Sequence, residues 1–279
     1  RVSVDSAGNQ GDGWSHGPPS MSADGRYVAF YSSAANLVPG DTNGADDVFV
    51  HDRQTGTTTR VSVDGAGSQG NGFSQQASVS ADGRYVAFES LATNLVPMDT
   101  NGQSDVFLHD RQAGSTTRVS VDSAGSQGDS WGVQVSVSAN GEFIAFHSHA
   151  SNLAAGDTNG VGDVYVYSVM ASHTTRVPEA MEPNAESLHP SIDYEGRYIA
   201  FASDATNLVP GDTNGKRDIF VYDRHNGNME LVSRNSDGEL GNELSDYPSI
   251  SPDGRYVAFS SYAANLVPDD ENNAQDVFL

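Results

Sequence analysis

Cysteine is absent from this chain of 279 residues, and basic residues are scarce. Without cysteine the protein can form no disulfide, no thiol nucleophile and no zinc–thiolate centre. The 14 lysines and arginines are outnumbered by 37 aspartates and glutamates, so the net charge is −23. Such a charge argues against binding nucleic acid or an anionic membrane through the surface. No apolar run approaches the roughly 18 residues of a membrane-spanning helix, so no membrane span is expected.

The chain consists of five copies of one repeat. The segment RVSVD starts at Arg1, Arg60 and Arg118, and the weaker copies RVPEA and LVSRN start at Arg176 and Leu231. A regular period of this kind is typical of repeat architectures. The composition, with 37% hydrophobic residues and 29 glycines, favours a fold rich in turns and sheets over a helical bundle.

Each repeat predicts four strands and no helix. In the first repeat we expect strands around Ser20–Ser22, at Arg26–Ser32, at Asp47–Arg53 and at Thr58–Asp64, with glycine-containing turns between them. Four antiparallel strands repeated along a chain are typical of propeller blades. A solenoid is the alternative, but its end repeats should be atypical polar caps, and here the end repeats are among the best preserved.

The predicted fold is therefore an all-β, five-bladed β-propeller of four-stranded antiparallel blades, forming a single domain over residues 1–279. The fifth repeat stops at its third strand, Asp276–Leu279, and Arg1–Asp5 resembles a copy of the missing fourth strand. We predict that these two segments pair and close the ring, because an unpaired edge inside the blade would then be avoided. The expected blades are residues 15–64, 74–122, 132–179, 187–235, and 245–279 completed by 1–5.

The repeat resembles a known family. The stretches SADGRYVAFYS, SADGRYVAFES, YEGRYIAFAS and SPDGRYVAFSS, each followed by DVFV, DVFL or DIFV, resemble the WD40-like (PD40-type) repeat of TolB-like propellers. The resemblance covers essentially every repeat and implies the propeller fold. It also implies roles such as periplasmic or secreted protein binding, or gating ahead of a peptidase. Propellers of this family commonly have six repeats, whereas this chain has five.

A long loop between the second and third strands recurs in every repeat and reads NLVPGDTNGADD in the first. Its D-x-N-G-x-x-D spacing matches part of a calcium-binding loop, in which oxygen ligands converge if a glycine permits a sharp turn. In the fifth repeat Asn273 replaces this glycine, which predicts a positive φ there. The predicted ligands are two aspartates and one asparagine in each loop: Asp41, Asn43 and Asp47; Asp99, Asn101 and Asp105; Asp157, Asn159 and Asp163; Asp212, Asn214 and Asp218; Asp270, Asn272 and Asp276.

Calcium, up to one ion per blade, is the predicted cofactor of these DTNG loops. Two carboxylates per site imply weak binding, with dissociation constants of roughly 10⁻⁴–10⁻³ M. The alternative is a plain turn, in which aspartate bonds its own backbone and glycine takes a positive φ. A transition metal is not expected in the loops, because they contain no histidine.

A second recurring loop joins consecutive blades. It places Trp14, Phe73 and Trp131 at matching positions, where Glu186 and Leu244 stand in the last two repeats. The loop should lie on the same propeller face as the DTNG loops. Aromatic rings on one face can stack on sugars or hold peptide side chains. These three aromatics are therefore the predicted ligand contacts, with packing between blades as the alternative.

No catalytic arrangement is recognisable. The innermost strands place serines toward the central channel, interrupted by Asp193, so the carboxylate pair of a glycosidase is not expected. A serine nucleophile would need a partner histidine; His16 and His189 lie near the channel entry but belong to no known motif. The chain is therefore predicted not to be an enzyme.

The sequence thus predicts a calcium-stabilised, non-enzymatic propeller that acts as a binding or scaffold module for a protein or peptide. We expect a monomer located in the periplasm, outside the cell or on the cell surface, where calcium is abundant enough to fill weak sites. One alternative is a lectin that binds glycans through Trp14, Phe73 and Trp131. Another is a propeller domain accessory to a hydrolase or peptidase.

Overall fold

A computed structural model describes residues 1–272 and 274–279 of the chain. The predicted positive φ of Asn273 lies outside these residues. The described part contains 19 strands grouped in five antiparallel sheets, and no helix in it is long and apolar enough to cross a membrane. The predicted five-bladed β-propeller is confirmed.

The strands follow the chain order, from the innermost to the outermost strand of each blade. The first blade contains β1 (Ser15–Met21), β2 (Tyr27–Ser32), β3 (Asp47–Asp52) and β4 (Thr57–Arg60). The second contains β5 (Ser74–Val79), β6 (Tyr85–Ser90), β7 (Asp105–Asp110) and β8 (Ser115–Arg118). The third contains β9 (Gly132–Val137), β10 (Phe143–Ser148), β11 (Asp163–Ser168) and β12 (His173–Val177). The fourth contains β13 (Ser187–Ile192), β14 (Tyr198–Ser203), β15 (Asp218–Asp223) and β16 (Asn228–Leu231). The fifth contains β17 (Ser245–Ile250), β18 (Val257–Ser261) and β19 (Asp276–Phe278).

The core lies at the seams, the junctions between neighbouring blades. Alternate residues of the middle strands face one seam or the other, because successive side chains of a strand point to opposite faces of its sheet. Across the first seam, Ala29 and Val48 of the first blade form one hydrophobic cluster with Val79 and Phe88 of the second. Equivalent clusters join the second blade to the third, the third to the fourth, and the fourth to the fifth.

Inner-strand serines also connect the blades. Each of four serines accepts a hydrogen bond from a backbone N–H of the next blade's inner strand: Ser20 from Val79, Ser78 from Val137, Ser136 from Ile192 and Ser191 from Ile250, at 3.0–3.3 Å. Asp193 takes the place of a serine that binds the turn after the inner strand, because its carboxylate accepts the backbone N–H of Tyr198. These polar residues therefore hold the inner ring together.

The prediction that Arg1–Asp5 completes the fifth blade is wrong. The fifth sheet has three strands, β17, β18 and β19, and Val4 instead forms an isolated bridge to Gln10. The physical reason lies in the repeat: β4 ends at Arg60, so Arg1–Asp5 corresponds to the linker that leaves the outer strand rather than to the strand itself. This linker packs on the next blade, where Thr58 donates its hydroxyl to the carbonyl of Val4.

The two end blades expose positions that are buried in the other blades. Met21 is 58% exposed, whereas the matching residues of the other four inner strands are 7–8% exposed. Val277 is 79% exposed, whereas its four counterparts are fully buried. No hydrophobic cluster within the described residues joins the fifth blade to the first. The exposed faces of the first and fifth blades thus correspond to the faces that pack in seams between the other blades.

Candidate functional site

Each inner strand carries a β-bulge close to its start, where its pairing with the second strand shifts register. The bulged residue takes a left-handed conformation in all five blades, although only the first has glycine there. The five residues are Gly17, Gln76, Gln134, His189 and Tyr247, with φ between +50° and +72°. Non-glycine residues in this region carry strain of order 1–3 kcal/mol, and such strain concentrates at functional sites.

The bulges and the DTNG loops lie on one side of the propeller, which we call the bulge face. Inner strands begin at the end where the second strands finish, and the DTNG loops connect that end to the third strands. Bulges redirect side chains out of the regular pleat, and they are frequent beside functional sites. Polar and titratable groups gather at the seams on this face.

At the first seam, Asp46 is 6% exposed and its carboxylate binds two polar partners. His16 Nε2 lies 3.2 Å from one of its oxygens, and Gln75 donates to the same oxygen at 2.6 Å. At the second seam Glu89 has a buried Oε2 with no hydrogen-bond partner among the described residues. Burial raises the pKa of Glu89 to about 7, against the lowering effect of a bond from the Gln134 backbone.

The third seam holds two histidines and a glutamate. His147 lies on β10 close to its end, His149 follows two residues later, and Glu186 directly precedes β13. Glu186 Oε1 lies 3.7 Å from His147 Nε2 and 3.4 Å from His149 Nε2. Burial, and then the charges of His149 and His189, lower the pKa of His147 to about 3, so its ring is neutral at physiological pH.

The fourth seam contains a histidine–carboxylate pair. His189 Nδ1 lies 2.6 Å from Asp246 Oδ1, and Arg217 donates to the other carboxylate oxygen at 3.1 Å. Burial opposes the charged form of Asp246, but the bonds from His189 and Arg217 outweigh it and lower the pKa of Asp246. Tyr247 packs on the imidazole with ring centroids 4.2 Å apart. Both bulge residues of this seam are therefore held in place by contacts.

The DTNG loops have the geometry of asparagine-centred turns. In the first loop Asn43 Oδ1 accepts the backbone N–H of Ala45 at 2.9 Å. Its amide group donates to Asp47 and to the carbonyl of Gly70 in the following linker, at 3.1 and 3.0 Å. Asn101, Asn159, Asn214 and Asn272 make the same turn bond to the residue two positions later. The asparagine thus joins its loop to the linker with its nitrogen rather than its oxygen.

In the first three loops an arginine stands between the two aspartates. Arg60 Nη1 lies 3.4 Å from Asp41 Oδ1 and 3.2 Å from Asp47 Oδ2, and all three side chains are at most 9% exposed. Arg118 and Arg176 repeat the arrangement at 3.3–3.9 Å from Asp99, Asp105, Asp157 and Asp163. The guanidinium group occupies the place between the carboxylates that a bound cation would take. The geometry therefore gives calcium no support in these loops.

The fourth loop differs because Leu231 pairs with Phe220 at the position where Arg60 pairs with Phe49. Asp212 is only 8% exposed, and its buried Oδ1 has no hydrogen-bond partner among the described residues. Burial, and then the charge of Asp218, raise the pKa of Asp212 to about 6. In the fifth loop Asn272 donates to Asp276 at 2.8 Å, and Asp270 is partly exposed.

The predicted aromatic contacts fall into two groups. Trp14 and Phe73 are 80% and 51% exposed and are available to a ligand. Trp131 is partly buried, with its ring centroid 4.2 Å from that of His149 and 5.3 Å from that of His147. Trp131 therefore belongs to the third seam.

The most distinctive groups of this face were not predicted from the sequence. His147 and His149 form an H-x-H motif that occurs only in the third repeat, and Glu186 stands where three repeats have an aromatic residue. These departures from the repeat were the available signal. The bulge position offers no signal, because Gly, Gln, Gln, His and Tyr occupy it in turn.

No protein-family model matches the sequence, and no curated protein matches it. Solved structures do match, and they confirm a fold shared with TolB. TolB from Acinetobacter baumannii is 17% identical, with a TM-score of 0.53 over 93% of this chain and 53% of that chain. Putative TolB from Agrobacterium tumefaciens is 18% identical, with a TM-score of 0.55 over 90% and 71%. An oligogalacturonate lyase in complex with manganese is 14% identical, with a TM-score of 0.56 over 95% and 65%.

These similarities concern the fold alone. At identities of 14–18%, propellers can serve unrelated functions. The chain also spans only 53% of the Acinetobacter baumannii protein and 65% of the lyase. The evidence for the function therefore lies in the residues of the bulge face.

Proposed function

We propose that this propeller is a non-enzymatic binding module that holds a peptide segment of another protein against the bulge face. The observation that carries the proposal is the fivefold bulge, with four strained non-glycine residues at one position on one face. Strain repeated at this position is consistent with selection for what the bulged side chains contact, because a regular strand would avoid it.

The chemistry of the face favours a basic peptide with apolar side chains. Buried carboxylates at the seams, Asp46 and Asp246, contribute to a net charge of −23. A negative field concentrates cationic ligands and speeds their association. Exposed rings on the same face, Trp14 and Tyr247, are suited to covering aliphatic or aromatic side chains.

Selection from a random peptide library displayed on phage tests this function. We expect enriched peptides to be rich in lysine or arginine and to bind more weakly as salt is raised. Replacing Trp14, Phe73 and Tyr247 together by serine should weaken the selected peptides at least 10-fold, about 1.4 kcal/mol. Met170→Ser is the matched control, because Met170 is 86% exposed in the turn between β11 and β12, on the opposite face. Equal binding to the triple variant would refute the proposed site.

A lectin is the second candidate, favoured by the exposure of Trp14 and Phe73, 80% and 51%. Flat, exposed rings are suited to stacking on sugars. A glycan array probed with the unaltered protein and with the Trp14→Ser/Phe73→Ser variant separates the candidates. Glycan binding that disappears in this variant, without peptide enrichment, would establish the lectin. The accessory role beside a hydrolase or peptidase also stays a proposal, to be decided by the full-length gene.

Calcium at the DTNG loops remains a prediction, and the fourth loop makes the strongest case for it. Among the first four loops, only the fourth has its bridging arginine replaced, by Leu231. Asp212 there has a buried oxygen with no hydrogen-bond partner in the described part of the chain. A calcium titration followed by thermal unfolding should therefore show one weak site that Asp212→Asn removes. Unfolding curves that are identical in calcium and in sodium chloride of matched ionic strength would leave the loops as turns.

We propose further that the protein is exported and monomeric. A weak calcium site would be empty at cytosolic calcium levels, which favours a periplasmic, secreted or cell-surface location. Cell fractionation and light scattering of the purified protein test the two statements. Recovery in the cytosol would contradict the first, and a stable dimer the second.

A further inference from the structure

The third seam contains a compact set of groups that are suited to bind a transition metal. His147, His149 and Glu186 each offer one ligand atom, and these atoms all lie within 4.8 Å of one another. Glu186 Oε1 lies 3.4 Å from His149 Nε2 and 3.7 Å from His147 Nε2. Ligands about 2.1 Å from a tetrahedral zinc ion stand about 3.4 Å apart, so only small adjustments would be needed.

His147 supplies an independent sign of a missing partner. The residue is 2% exposed, and neither ring nitrogen has a hydrogen-bond partner among the described residues. Buried polar groups are almost always satisfied, and an unsatisfied one calls for an explanation such as an ion. Glu186 is too far from His147 for a hydrogen bond but well placed to share a metal with it.

The surroundings orient the two imidazoles. The Trp131 ring meets the His147 ring edge-on and tilts over that of His149, with centroids 5.3 and 4.2 Å apart. Gly162 lies against the nitrogens, and a Cβ at this position would overlap Nε2 of His147. Its φ is not in the left-handed region, so the backbone conformation does not require glycine there. Glycine is required instead by the close approach of the imidazoles, which leaves no room for a Cβ.

The set belongs to one seam and is not a requirement of the fold. The positions matching His147 hold Tyr31, Glu89, Ala202 and Ser260, and those matching Gly162 hold Asp46, Ser104, Arg217 and Gln275. The other seams of the described chain therefore pack without such a set. A feature confined to one repeat, with its own glycine to make room, is consistent with a local function.

We propose that His147, His149 and Glu186 bind one divalent transition-metal ion, with zinc as the preferred ion. Two imidazoles and one carboxylate are a zinc ligand set that leaves a fourth position for water or another ligand. Calcium and magnesium favour all-oxygen sites and should not compete. The site is distinct from the DTNG loops and does not depend on the proposed peptide ligand.

Calorimetric titration of chelator-treated protein with zinc chloride tests the site. We expect one ion per chain, and a dissociation constant that rises at least 10-fold in Glu186→Gln and in His149→Ala. Both side chains are partly exposed, at 39% and 30%, so these variants should fold. His225→Ala is the control, because His225 is exposed in the turn between β15 and β16 and should leave the titration unchanged.

A second measurement keeps the test independent of heat signals. Zinc should raise the melting temperature of the unaltered protein and of His225→Ala, but not that of Glu186→Gln, because a ligand that binds only the native state stabilises it. Magnesium at the same concentration should produce no such shift. Absence of zinc binding at 100-fold excess over about 1 μM protein would overturn the proposal, and so would binding that survives in both site variants.

Discussion

Replacing Arg60 by leucine tests whether the arginine is what stabilises the aspartates of the first DTNG loop. Arg60 is 9% exposed and lies between Asp41 and Asp47, which are 5% and 0% exposed. Even beside the arginine, burial raises the pKa of both aspartates. Removing the guanidinium group would leave two buried carboxylates with no cation. The fourth blade already carries this change, because Leu231 occupies the matching position.

The expected cost follows from the protonation that would relieve the charge. Protonating an aspartate costs about 1.4 kcal/mol for each pH unit above its unfolded pKa of about 3.9. At pH 7 the cost is therefore about 4 kcal/mol. This agrees with the about 3–5 kcal/mol lost when one partner of a buried ion pair is removed. The same reasoning gives about 1.5 kcal/mol at pH 5. In the variant the folded-state pKa is raised, so stability is lost as pH rises.

Urea unfolding of Arg60→Leu at pH 5 and pH 7 measures this effect. Arg53→Leu is the matched control: Arg53 is exposed just beyond the end of β3, the neighbouring strand, and its replacement should cost less than about 1 kcal/mol. Adding Asp41→Asn to Arg60→Leu should recover part of the loss at pH 7. The reasoning would be refuted if Arg60→Leu matched the control, or if its cost did not grow between pH 5 and pH 7.

Three further predictions address other parts of the molecule. Because the pKa of Asp212 is raised to about 6, the folded state binds its proton more tightly than the unfolded state. Lowering the pH from 7 to 5 should therefore stabilise the unaltered protein relative to Asp212→Asn in thermal unfolding, and parallel pH profiles would contradict this. Gln76→Gly should raise the free energy of unfolding by about 1 kcal/mol because it relieves a left-handed φ of 50°, whereas Gln76→Ala should not. Equal urea midpoints for Gln76→Gly and the unaltered protein would argue against strain. Val106→Ala should lower the free energy of unfolding by about 2–3 kcal/mol because Val106 is buried in a seam, but Val277→Ala should lower it by less than about 0.5 kcal/mol because Val277 is 79% exposed. Similar losses in both variants would show that the face of the fifth blade that carries Val277 is covered in solution.

Much of the fold could be predicted from the sequence because it depends on local, repeated signals. The Asp-Gly turn before Tyr27 specifies the hairpin of β1 and β2, and short apolar runs mark β2 and β3 as buried strands, without reference to the rest of the chain. Recurrence of that pattern at intervals of 55 to 59 residues then specifies blades. Strand ends were less predictable: β1 begins at Ser15 rather than near Ser20, and β4 ends at Arg60 rather than Asp64.

The loop chemistry shows where sequence patterns stop being sufficient. The D-x-N-G-x-x-D spacing is equally compatible with a calcium loop and with an asparagine-centred turn. What distinguishes them in the first loop is Arg60, 13 residues beyond Asp47 and on a different strand. Its position between the carboxylates depends on the pairing of β3 with β4 and on the course of the linker. A pattern read within the loop could not include it.

The sequence by itself determined the repeat, the strands within it and the propeller class, because short apolar runs and turn residues act over a few positions. Only the tertiary structure decided which side chains of different blades meet at the seams of the bulge face. The seams join residues from different repeats, such as His147 with Glu186 and His189 with Asp246, which are 39 and 57 positions apart. It also decided that Arg1–Asp5 is a linker packed on the first blade. Contacts between blades depend on how whole sheets pack, and no local pattern encodes that geometry.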